Sequence, residues 1–446
     1  MDTRSQLARH GLFSERPPRY TSYPPAPHFL ASVGEDTYRD WIGALPADRP
    51  VSVYVHIPFC RRLCWFCACR TQGARTPEPV ERYLSILLTE IERLGEVLPG
   101  GRARLSRLHW GGGTPTILTA AQMERLTSAI HSVFDFDDDA EFSVEIDPNE
   151  IGPQRLLTLS KIGMTRASVG VQDFDPNIQK TIGREQSYSV TAEAVQGLRG
   201  VGIESLNADL VYGLPGQSVA TLERTVKRLL WLKPDRIALY GYAHVPTRAR
   251  RQVMIPERDL PDGPARLALF EAARDIFVGA GYRQIGIDHF ALPSDGLARA
   301  AEAGTLHRNF QGYTDDTAET LIGLGASSIS EFPQGYCQNA AATAAWQDRI
   351  TSGGLATARG HVNSADDRMR KRVIERIMCD FGVSLDSPDM SLLRAEATLI
   401  AAKYNGFATM WGGRFQIVPE GRALTRIIAQ EFDAYRHNST PLSGAI

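Results

Sequence analysis

The pattern of hydrophobic positions between residues 51 and 280 predicts a repeated order of strand and helix. Short runs of β-branched and aromatic residues predict strands, and apolar residues at three- and four-residue spacing between them predict helices. The predicted strands cover residues 51–56, 105–110, 142–146, 166–171, 205–211 and 236–242. The predicted helices cover residues 80–94, a stretch that begins at Thr119, and residues 153–162, 188–199, 218–232 and 264–280. Six such units predict an α/β fold with a parallel sheet, either open or curved into a barrel.

The segments that flank these units have a different character. Residues 1–45 are rich in proline, arginine and aromatic residues and show no clear period, so we expect an arm that lies on the surface of the rest. We expect removal of residues 1–30 to spare most of the stability. Near the C-terminus, helices are predicted at 369–379, 392–402 and 424–435, with a hairpin of residues 407–411 and 414–418 around Gly412-Gly413.

This C-terminal pattern resembles a winged-helix module, and such modules often bind DNA. Only the helix at 369–379 is clearly basic, which favours a role in packing or in covering a substrate. The predicted domains are therefore the arm (1–45), a strand–helix domain (46–285), a connecting and substrate-covering segment (286–360) and the C-terminal module (361–446).

Composition restricts the class of protein. The 446 residues are 43% hydrophobic and 22% charged with a formal net charge of −2, which is typical of a folded globular chain. No overall basic field points to nucleic acid or to an anionic membrane. No window approaches the roughly 18 apolar residues of a membrane span, and no secretory signal precedes the first charged residues. We therefore expect a cytoplasmic protein.

Unusual residues follow the predicted strands. Strand two runs into Gly111-Gly112-Gly113-Thr114-Pro115, and the later strands carry or precede Glu145, Asp147, Gln172, Asp173, Asp209, Ala243 and His244. The carboxyl ends of parallel strands meet at one edge of a sheet, and ligands bind there. Polar groups at five strand ends therefore predict a binding site at this edge.

Four cysteines lie within ten residues: Cys60, Cys64, Cys67 and Cys69. We interpret the distant Cys337 and Cys379 as ordinary buried side chains. Three thiolates spaced by three and then two intervening residues can hold a cuboidal iron–sulfur cluster and leave one iron open to a non-protein ligand. The alternative is a closed zinc site, which needs four ligands and usually two paired knuckles, and no second knuckle is present.

The spacing Cys60-x-x-x-Cys64-x-x-Cys67 after a first strand, with the glycine run at 111–113, resembles the radical S-adenosylmethionine (SAM) enzymes. Further segments resemble the oxygen-independent coproporphyrinogen III oxidases over nearly the whole chain: residues 19–24, 56–60, 183–186, 212–215 and 307–313, together with Cys69. Ala68 and Arg70 depart from the Gly and Asn expected beside the fourth cysteine. The related haem-chaperone branch generally lacks this cysteine and the arm.

The resemblance implies a partial (β/α)6 barrel of the radical SAM type, with a 4Fe–4S cluster on Cys60, Cys64 and Cys67 and two bound SAM molecules. The implied contacts of the cluster-bound SAM are Tyr54, Gly112, Glu145 and Ile329. Those of the second SAM are Phe66, Gly113, Thr114, Gln172, Arg184, Asp209 and Ala243. The candidate catalytic residues are Cys69, Tyr54 and Arg308, and Arg308 and Arg19 are candidates to bind substrate carboxylates.

The implied reaction converts two propionates of coproporphyrinogen III to vinyl groups, giving protoporphyrinogen IX with loss of carbon dioxide. SAM would supply a 5′-deoxyadenosyl radical that removes hydrogen from the propionate β-carbon. The implied partners are the porphyrinogen and a reductase or a flavodoxin- or ferredoxin-type electron donor, with a monomer that binds neither nucleic acid nor membrane. The alternatives are a radical SAM methyltransferase or cyclopropanase on the same scaffold, and a haem-binding chaperone.

Overall fold

A computed structural model describes residues 3–436 of the chain. Its first elements are α1 (Thr3–Arg9), α2 (Glu35–Gly43), β1 (Val51–Ile57), β2 (Phe59–Cys60), β3 (Gln72–Gly73), α3 (Glu78–Val97), β4 (Ala103–Gly112), α4 (Ala120–Val133), β5 (Phe134–Ile146), α5 (Pro153–Lys161), β6 (Arg166–Gln172), α6 (Pro176–Thr181), α7 (Tyr188–Gly200), β7 (Ser205–Tyr212), α8 (Val219–Trp231), β8 (Arg236–Gly241) and α9 (Gly263–Gly279). They are followed by β9 (Arg283–Ile285), β10 (His289–Ala291), α10 (Gly296–Ala303), β11 (His307–Asn309), β12 (Gly312–Thr314), β13 (Leu321–Leu324), β14 (Ile329–Phe332), β15 (Gly335–Asn339), α11 (Thr343–Thr351), β16 (Thr357–Val362), α12 (Ala365–Asp380), β17 (Gly382–Ser384), α13 (Arg394–Lys403), β18 (Ala408–Trp411), β19 (Arg414–Ile417) and α14 (Thr425–Glu431).

A single sheet of twelve strands organises the chain. Its order is β16-β15-β14-β13-β1-β4-β5-β6-β7-β8-β10-β9, and the stretch from β13 to β8 is parallel throughout. The edge strands β16 and β9 do not pair with each other, so the barrel is incomplete. The six predicted strand–helix units are confirmed, and the parallel sheet gains β13 as an unpredicted seventh strand.

The helices cover the sheet through the periodic apolar residues that predicted them. Leu84, Leu87 and Ile91 of α3 are fully buried in the main core, and Trp110 of β4 packs on Phe142 of β5 with ring centroids 5.0 Å apart. This packing holds the carboxyl ends of the parallel strands at one edge. Among the described helices, none is both long and apolar enough to cross a membrane.

The predicted start of α4 at Thr119 is confirmed by the hydrogen bonds that cap the helix. The Thr119 side chain accepts a hydrogen bond from the backbone N–H of Gln122, and the Gln122 side chain accepts one from the N–H of Thr119 at 2.9 Å. This reciprocal cap satisfies two backbone donors that the first helical turn leaves without partners. It fixes the residue at which α4 begins after the glycine run.

The C-terminal region builds a second core from α12, α13, α14 and a three-stranded sheet of order β17-β19-β18. The predicted hairpin forms, with Gly412 at φ 54° and Gly413 at φ 78° in its two-residue turn. Such a turn requires positive φ at both positions, which glycine adopts without strain. The strand β17 was not predicted, because three residues are too few to show a period.

The expectation that the arm contributes nothing to a core is wrong. The segment contains two helices, and Leu12, Tyr20 and Tyr23 are buried in the C-terminal core. The Tyr20 hydroxyl donates to Asp433 at 3.0 Å, and the Tyr23 hydroxyl accepts from the N–H of Ala434 at 3.0 Å. The arm therefore ties the N-terminus to the C-terminal helices.

We now predict that deleting residues 1–30 lowers the melting temperature markedly. Each buried large apolar side chain contributes about 1.5–3 kcal/mol, and the deletion removes several of them, including Leu12 and Tyr23. The summed loss is comparable with the roughly 5–15 kcal/mol that stabilises a typical protein. Thermal unfolding of the truncated and full-length chains measures the effect, and an unchanged melting temperature contradicts it.

Candidate active site

Cys60 ends β2, just after the carboxyl end of β1, and Cys64, Cys67 and Cys69 lie on the loop between β2 and β3. Cys60, Cys64 and Cys67 are partly buried and Cys69 is exposed. Burial raises the pKa of the Cys60 thiol to about 11, with the hydroxyl of Thr114 opposing the rise through a hydrogen bond. A hydrogen bond from the Cys69 side chain lowers the pKa of the Cys67 thiol below its usual value.

Each of the three predicted ligands has its own hydrogen-bond donor from a different part of the chain. Thr114 reaches Cys60, Nη1 of Arg184 lies 3.5 Å from Sγ of Cys64, and the backbone N–H of Cys69 donates to Sγ of Cys67 at 3.4 Å. Hydrogen bonds to sulfur are what iron–sulfur ligation uses to tune the cluster. The surroundings of the three thiols therefore suit thiolate ligands.

Within residues 3–436, no three histidine, cysteine, aspartate or glutamate side chains converge on one position that an ion could occupy. A closed zinc site needs four ligands around one point. In a 4Fe–4S cluster each thiolate binds a different iron, which three cysteines at this spacing can supply.

The glycine run packs directly against the approach to the cysteine loop. The N–H of Gly113 donates to the carbonyl of Ile57 at 2.9 Å, and the N–H of Thr114 donates to that of Phe59 at 2.8 Å. A Cβ on Gly113 would lie 2.7 Å from the Phe59 carbonyl oxygen and 2.8 Å from that of Ile57. Glycine is therefore required at position 113 for this segment to pack against Ile57 and Phe59. The absence of a side chain also leaves room for a ligand to approach.

The strands β1, β4 and β5 bring a connected polar group to the same edge. The Tyr54 hydroxyl lies 3.0 Å from Nδ1 of His56, and the Tyr54 ring stacks on that of His109 at 5.7 Å. Nε2 of His109 lies 3.5 Å from one carboxylate oxygen of Glu145, and the other oxygen accepts from the N–H of Gly112 at 2.9 Å. Tyr54, Gly112 and Glu145 were expected from the sequence, His56 appeared there only within the segment 56–60, and His109 was missed.

Ile329 reaches this group through the backbone. Gly323 of β13 pairs with Tyr54, and a Cβ on Gly323 would lie 2.7 Å from the carbonyl oxygen of Ile329 in β14. The residue is therefore near Tyr54 although 275 positions separate them in the chain.

A second group lies at the ends of β6 and β7. Nη2 of Arg184 donates to the carbonyl of Gly170 at 3.0 Å, and Nη1 lies 3.3 Å from Asp147. Its Nε is buried with no hydrogen-bond partner in the structure. Gln172 ends β6 at φ 67°, a conformation that is uncommon outside glycine and often marks functional positions.

Asp209 is the acidic member of this second group. Its carboxylate accepts from Ser168 at 3.2 Å and from the Asn207 amide at 2.9 Å. Burial, and then repulsion from Glu145, raise its pKa to about 6. Asp209 on β7 and Glu145 on β5 are separated by β6 alone in the sheet, and their charges are close enough to act on each other.

Phe66 and Ala243 are joined by a residue that sequence reasoning missed. The fully buried Gln252 donates from its amide to the Phe66 carbonyl at 2.7 Å and to the Ala243 carbonyl at 3.0 Å. Gln252 lies 186 positions from Phe66, so no local pattern could have indicated it. It fixes the cysteine loop against the segment after β8.

Two strand-end residues turn out to be structural. Asp173 is fully buried and accepts hydrogen bonds from Thr225 and Gln217, both at 2.7 Å. His244 lies 2.9 Å from both the Tyr242 hydroxyl and Glu257. Asp173 and His244 lie at the predicted edge of the sheet, but their side chains contact other parts of the chain.

Arg308 is not beside the thiols. It lies in β11, where its guanidinium group donates to the backbone carbonyl of Arg19 at 3.3 Å and covers the Tyr313 ring at 4.4 Å. The two candidate carboxylate-binding arginines are thus neighbours, at the margin of the barrel rather than at the cysteine loop.

Comparison with known proteins agrees with this geometry. The radical SAM superfamily profile matches residues 54–229. The chain is 55% identical to an oxygen-independent coproporphyrinogen III oxidase of Paracoccus denitrificans over 100% of both chains, and 37% identical to one of Escherichia coli over 94% of this chain and 93% of that one. The solved structure of the Escherichia coli coproporphyrinogen III oxidase, described as a radical SAM enzyme, superposes with a TM-score of 0.89 over 94% of this chain and 97% of that one.

Proposed function

This chain belongs to the oxygen-independent coproporphyrinogen III oxidases, and we propose that the cysteine loop and the strand-end residues carry out the oxidative decarboxylation of two propionates of coproporphyrinogen III. The observation that carries the residue assignment is the convergence of three separately hydrogen-bonded thiols with Glu145 and Asp209 at one edge of the sheet.

Cys60, Cys64 and Cys67 would hold the 4Fe–4S cluster. When bound, the cluster supplies the electron that cleaves SAM, and SAM supplies the radical that abstracts hydrogen. The chain's own groups position and shield these partners. Thr114, Arg184 and the Cys69 N–H stabilise the thiolates, while the Gln252 hydrogen bonds hold the loop closed against the segment after β8.

The first SAM is supported by the group around Glu145. The Glu145 carboxylate already accepts the N–H of Gly112, and its remaining acceptor capacity suits an ammonium or a ribose hydroxyl. Tyr54 and Ile329 border the same space. Glu145 therefore forms the polar side of this binding position, and Ile329 forms its apolar side.

The second SAM is supported by the group around Asp209 and Arg184. The unpartnered Nε of Arg184 is a buried donor, which costs free energy until an acceptor reaches it. A carboxylate of the ligand is the acceptor that a guanidinium group matches best. Gln172, Phe66, Gly113, Thr114 and Ala243 would complete this position.

Replacing Asp209 by alanine is predicted to reduce anaerobic SAM binding from two molecules per chain to one. Loss of its hydrogen bonds with the second molecule corresponds to about 1–3 kcal/mol, or roughly a fivefold to 150-fold weaker affinity. Asp135→Ala, at an exposed surface ion pair with Arg102, is the matched control and retains both sites. A stoichiometry of one in the unmutated protein contradicts the second site.

An anaerobic assay with coproporphyrinogen III, SAM and a reductant tests the function against the two alternatives. We expect protoporphyrinogen IX, carbon dioxide, methionine and 5′-deoxyadenosine. A methylated or cyclopropanated product would identify a methyltransferase or cyclopropanase instead. Binding of haem without turnover would identify a chaperone.

An acidic one-electron donor of the flavodoxin or ferredoxin type fits the surface over the cysteine loop. Residues 61–75 and 248–258 carry eight arginines and one acidic residue, and Arg251 joins the two segments through the Thr71 hydroxyl at 2.9 Å. Val253 and Met254 are 70% and 55% exposed beside them. Reduction by such a donor should slow with salt and with Arg62→Glu or Arg70→Glu, while reduction by dithionite stays unchanged.

We also propose where the protein acts, its oligomeric state and its domain boundaries. The chain acts as a cytoplasmic monomer, and neither a membrane nor nucleic acid takes part. The proposed divisions at residues 45, 285 and 360 mark positions along the chain, although β10 and β13 to β16 of the connecting segment belong to the barrel sheet and β16 (Thr357–Val362) crosses residue 360. The position of the arm beside Arg308, through the Arg19 carbonyl, supports its assignment as a cover of the active site.

A further inference from the structure

Two polar residues of neighbouring strands, Ser168 on β6 and Asn207 on β7, contact the Asp209 carboxylate. Ser168 and Asn207 are directly opposite each other in the register of the two strands. Asn207 lies two positions before Asp209, and side chains two positions apart on a strand lie on the same face of the sheet. The three side chains, which we call the polar triad, therefore meet at one place on one face.

The polar triad is a closed set of hydrogen bonds. The Asn207 amide nitrogen donates to Oδ1 of Asp209 at 2.9 Å and to the Ser168 hydroxyl at 2.8 Å. The Ser168 hydroxyl donates in turn to Oδ2 of Asp209 at 3.2 Å. Each oxygen of the carboxylate has its own donor, and the two donors are bonded to each other, so the carboxylate is held in one orientation.

This arrangement leaves one polar atom of the triad without a partner. Oδ1 of Asn207 is buried and accepts no hydrogen bond from the described residues. A buried acceptor of this kind lowers stability, and native proteins contain few of them. Turning the amide by half a rotation would point the oxygen at the Asp209 carboxylate, which has no proton to donate when it is ionised. Asn207 therefore keeps its bond to Asp209 at the expense of an unpaired oxygen.

The other side of Asp209 borders the residues that we assign to the second SAM. Gly170 of β6 is directly opposite Asp209 in the sheet. A Cβ on Gly170 would lie 2.9 Å from Nη2 of Arg184 and 3.2 Å from Nε2 of Gln172. Asp209 thus lies between the proposed ligand-binding side chains on one side and its two hydrogen-bond donors on the other.

The charges around Asp209 make these donors important. Burial and the negative charge of Glu145 on β5 raise the pKa of the Asp209 carboxyl, whereas the hydrogen bonds of the triad and the charge of His289 on β10 oppose the rise. Tyr240 on β8 is a further titratable group close to Asp209. Only the ionised carboxylate can accept hydrogen bonds with both oxygens, which binding of a ribose or an ammonium group needs.

We propose that Ser168 and Asn207 are positioning residues for the second SAM, which hold the Asp209 carboxylate in the orientation and the charge state that bind this molecule. The inference rests on the proposed function, because the second SAM site is itself a proposal. Neither residue contacts the ligand in this account, and each acts through Asp209.

The test is anaerobic equilibrium binding of SAM to the reconstituted protein over a range of pH. The unmutated protein should bind two molecules per chain at neutral pH and lose the second as pH falls through the Asp209 pKa of about 6. Asn207→Ala and Ser168→Ala each remove a donor to the ionised carboxylate, so the pKa of Asp209 rises further. We expect the loss of the second SAM to move to higher pH by about 1 unit in each variant, with the first SAM and the iron content unchanged.

Two matched variants control for the loss of a hydroxyl. Ser168→Thr keeps the donor and should retain the pH profile of the unmutated protein. Ser160→Ala removes a hydroxyl on α5 that donates to the Val201 carbonyl at 2.7 Å, away from Asp209, and should also leave the profile unchanged.

An unchanged pH profile in both alanine variants would overturn the inference. Loss of both SAM molecules together with iron would also overturn it, because that result indicates a structural role. Ser168→Ala removes a single oxygen, so it keeps the test decisive if Asn207→Ala does not fold. An unmutated protein that binds one SAM at every pH would instead contradict the second site in the proposed function, and this inference with it.

Discussion

Alanine at Cys60, Cys64 or Cys67 is expected to leave the anaerobically reconstituted protein almost without iron. Each replacement removes one of three protein ligands and exposes a second iron of the cluster. Thr114 and Arg184 lie beside Cys60 and Cys64 and cannot replace a thiolate ligand, whereas Cys69 lies beside Cys67. Iron and sulfide analysis, together with the absorbance of the cluster, measures the loss.

Cys69→Ala should behave differently, with nearly unchanged iron content and lower turnover. Cys69 is exposed and touches the loop through the Cys67 sulfur, so it is placed to act on bound partners rather than to hold iron. Cys337→Ala, in the main core, is the control for loss of a thiol alone. Loss of iron in Cys69→Ala to the extent seen with the other three would overturn the ligand assignment.

Gly113→Ala is expected to be more damaging than Gly111→Ala in the same glycine run. The added Cβ would meet the backbone of Ile57 and Phe59 within 3 Å, and backbone atoms cannot rotate away as a side chain can. Overpacking of this kind costs about 1–3 kcal/mol, and here it displaces the residues that lead into Cys60. We expect a lower melting temperature, reduced iron content and at least about a tenfold loss of turnover.

Gly111→Ala is the matched comparison for this prediction. Its Cβ would meet the side chains of Glu145 and His109, which can move by small rotations. It should therefore retain iron and melt close to the unmutated protein, with a moderate effect on SAM binding through Glu145. Equal stability and iron content in the two variants would show that the contact of Gly113 with the loop does not position the cluster.

The repeated periods of the barrel could be predicted because each signal is local. The apolar residues of α3 and the short runs of β1 and β4 show their period within one element, and the capping box at Thr119 lies within four residues. Strands β13 to β16 have only four to six residues each, so their period is too short to detect. Their place beside β1 depends on pairings such as Tyr54 with Gly323, which are distant in the chain.

Part of the candidate site could also be predicted, because the position of a residue at the end of a strand is a local signal. Strand-end position selected Glu145 and Asp209, but it selected the structural Asp173 as well, because burial and partners are set by distant residues such as Thr225. Gln252 was missed because it joins the site only through the folded chain. The arm was misjudged because Leu12, Tyr20 and Tyr23 bury themselves against another part of the protein and show no period of their own.

The most direct test of the account follows deuterium from the substrate. Coproporphyrinogen III labelled with deuterium at the β-carbons of the two reacting propionates is converted anaerobically, and the 5′-deoxyadenosine is analysed by mass spectrometry. The account predicts one deuterium in each 5′-deoxyadenosine and two labelled molecules for each protoporphyrinogen formed. Protoporphyrinogen formed together with unlabelled 5′-deoxyadenosine would contradict it.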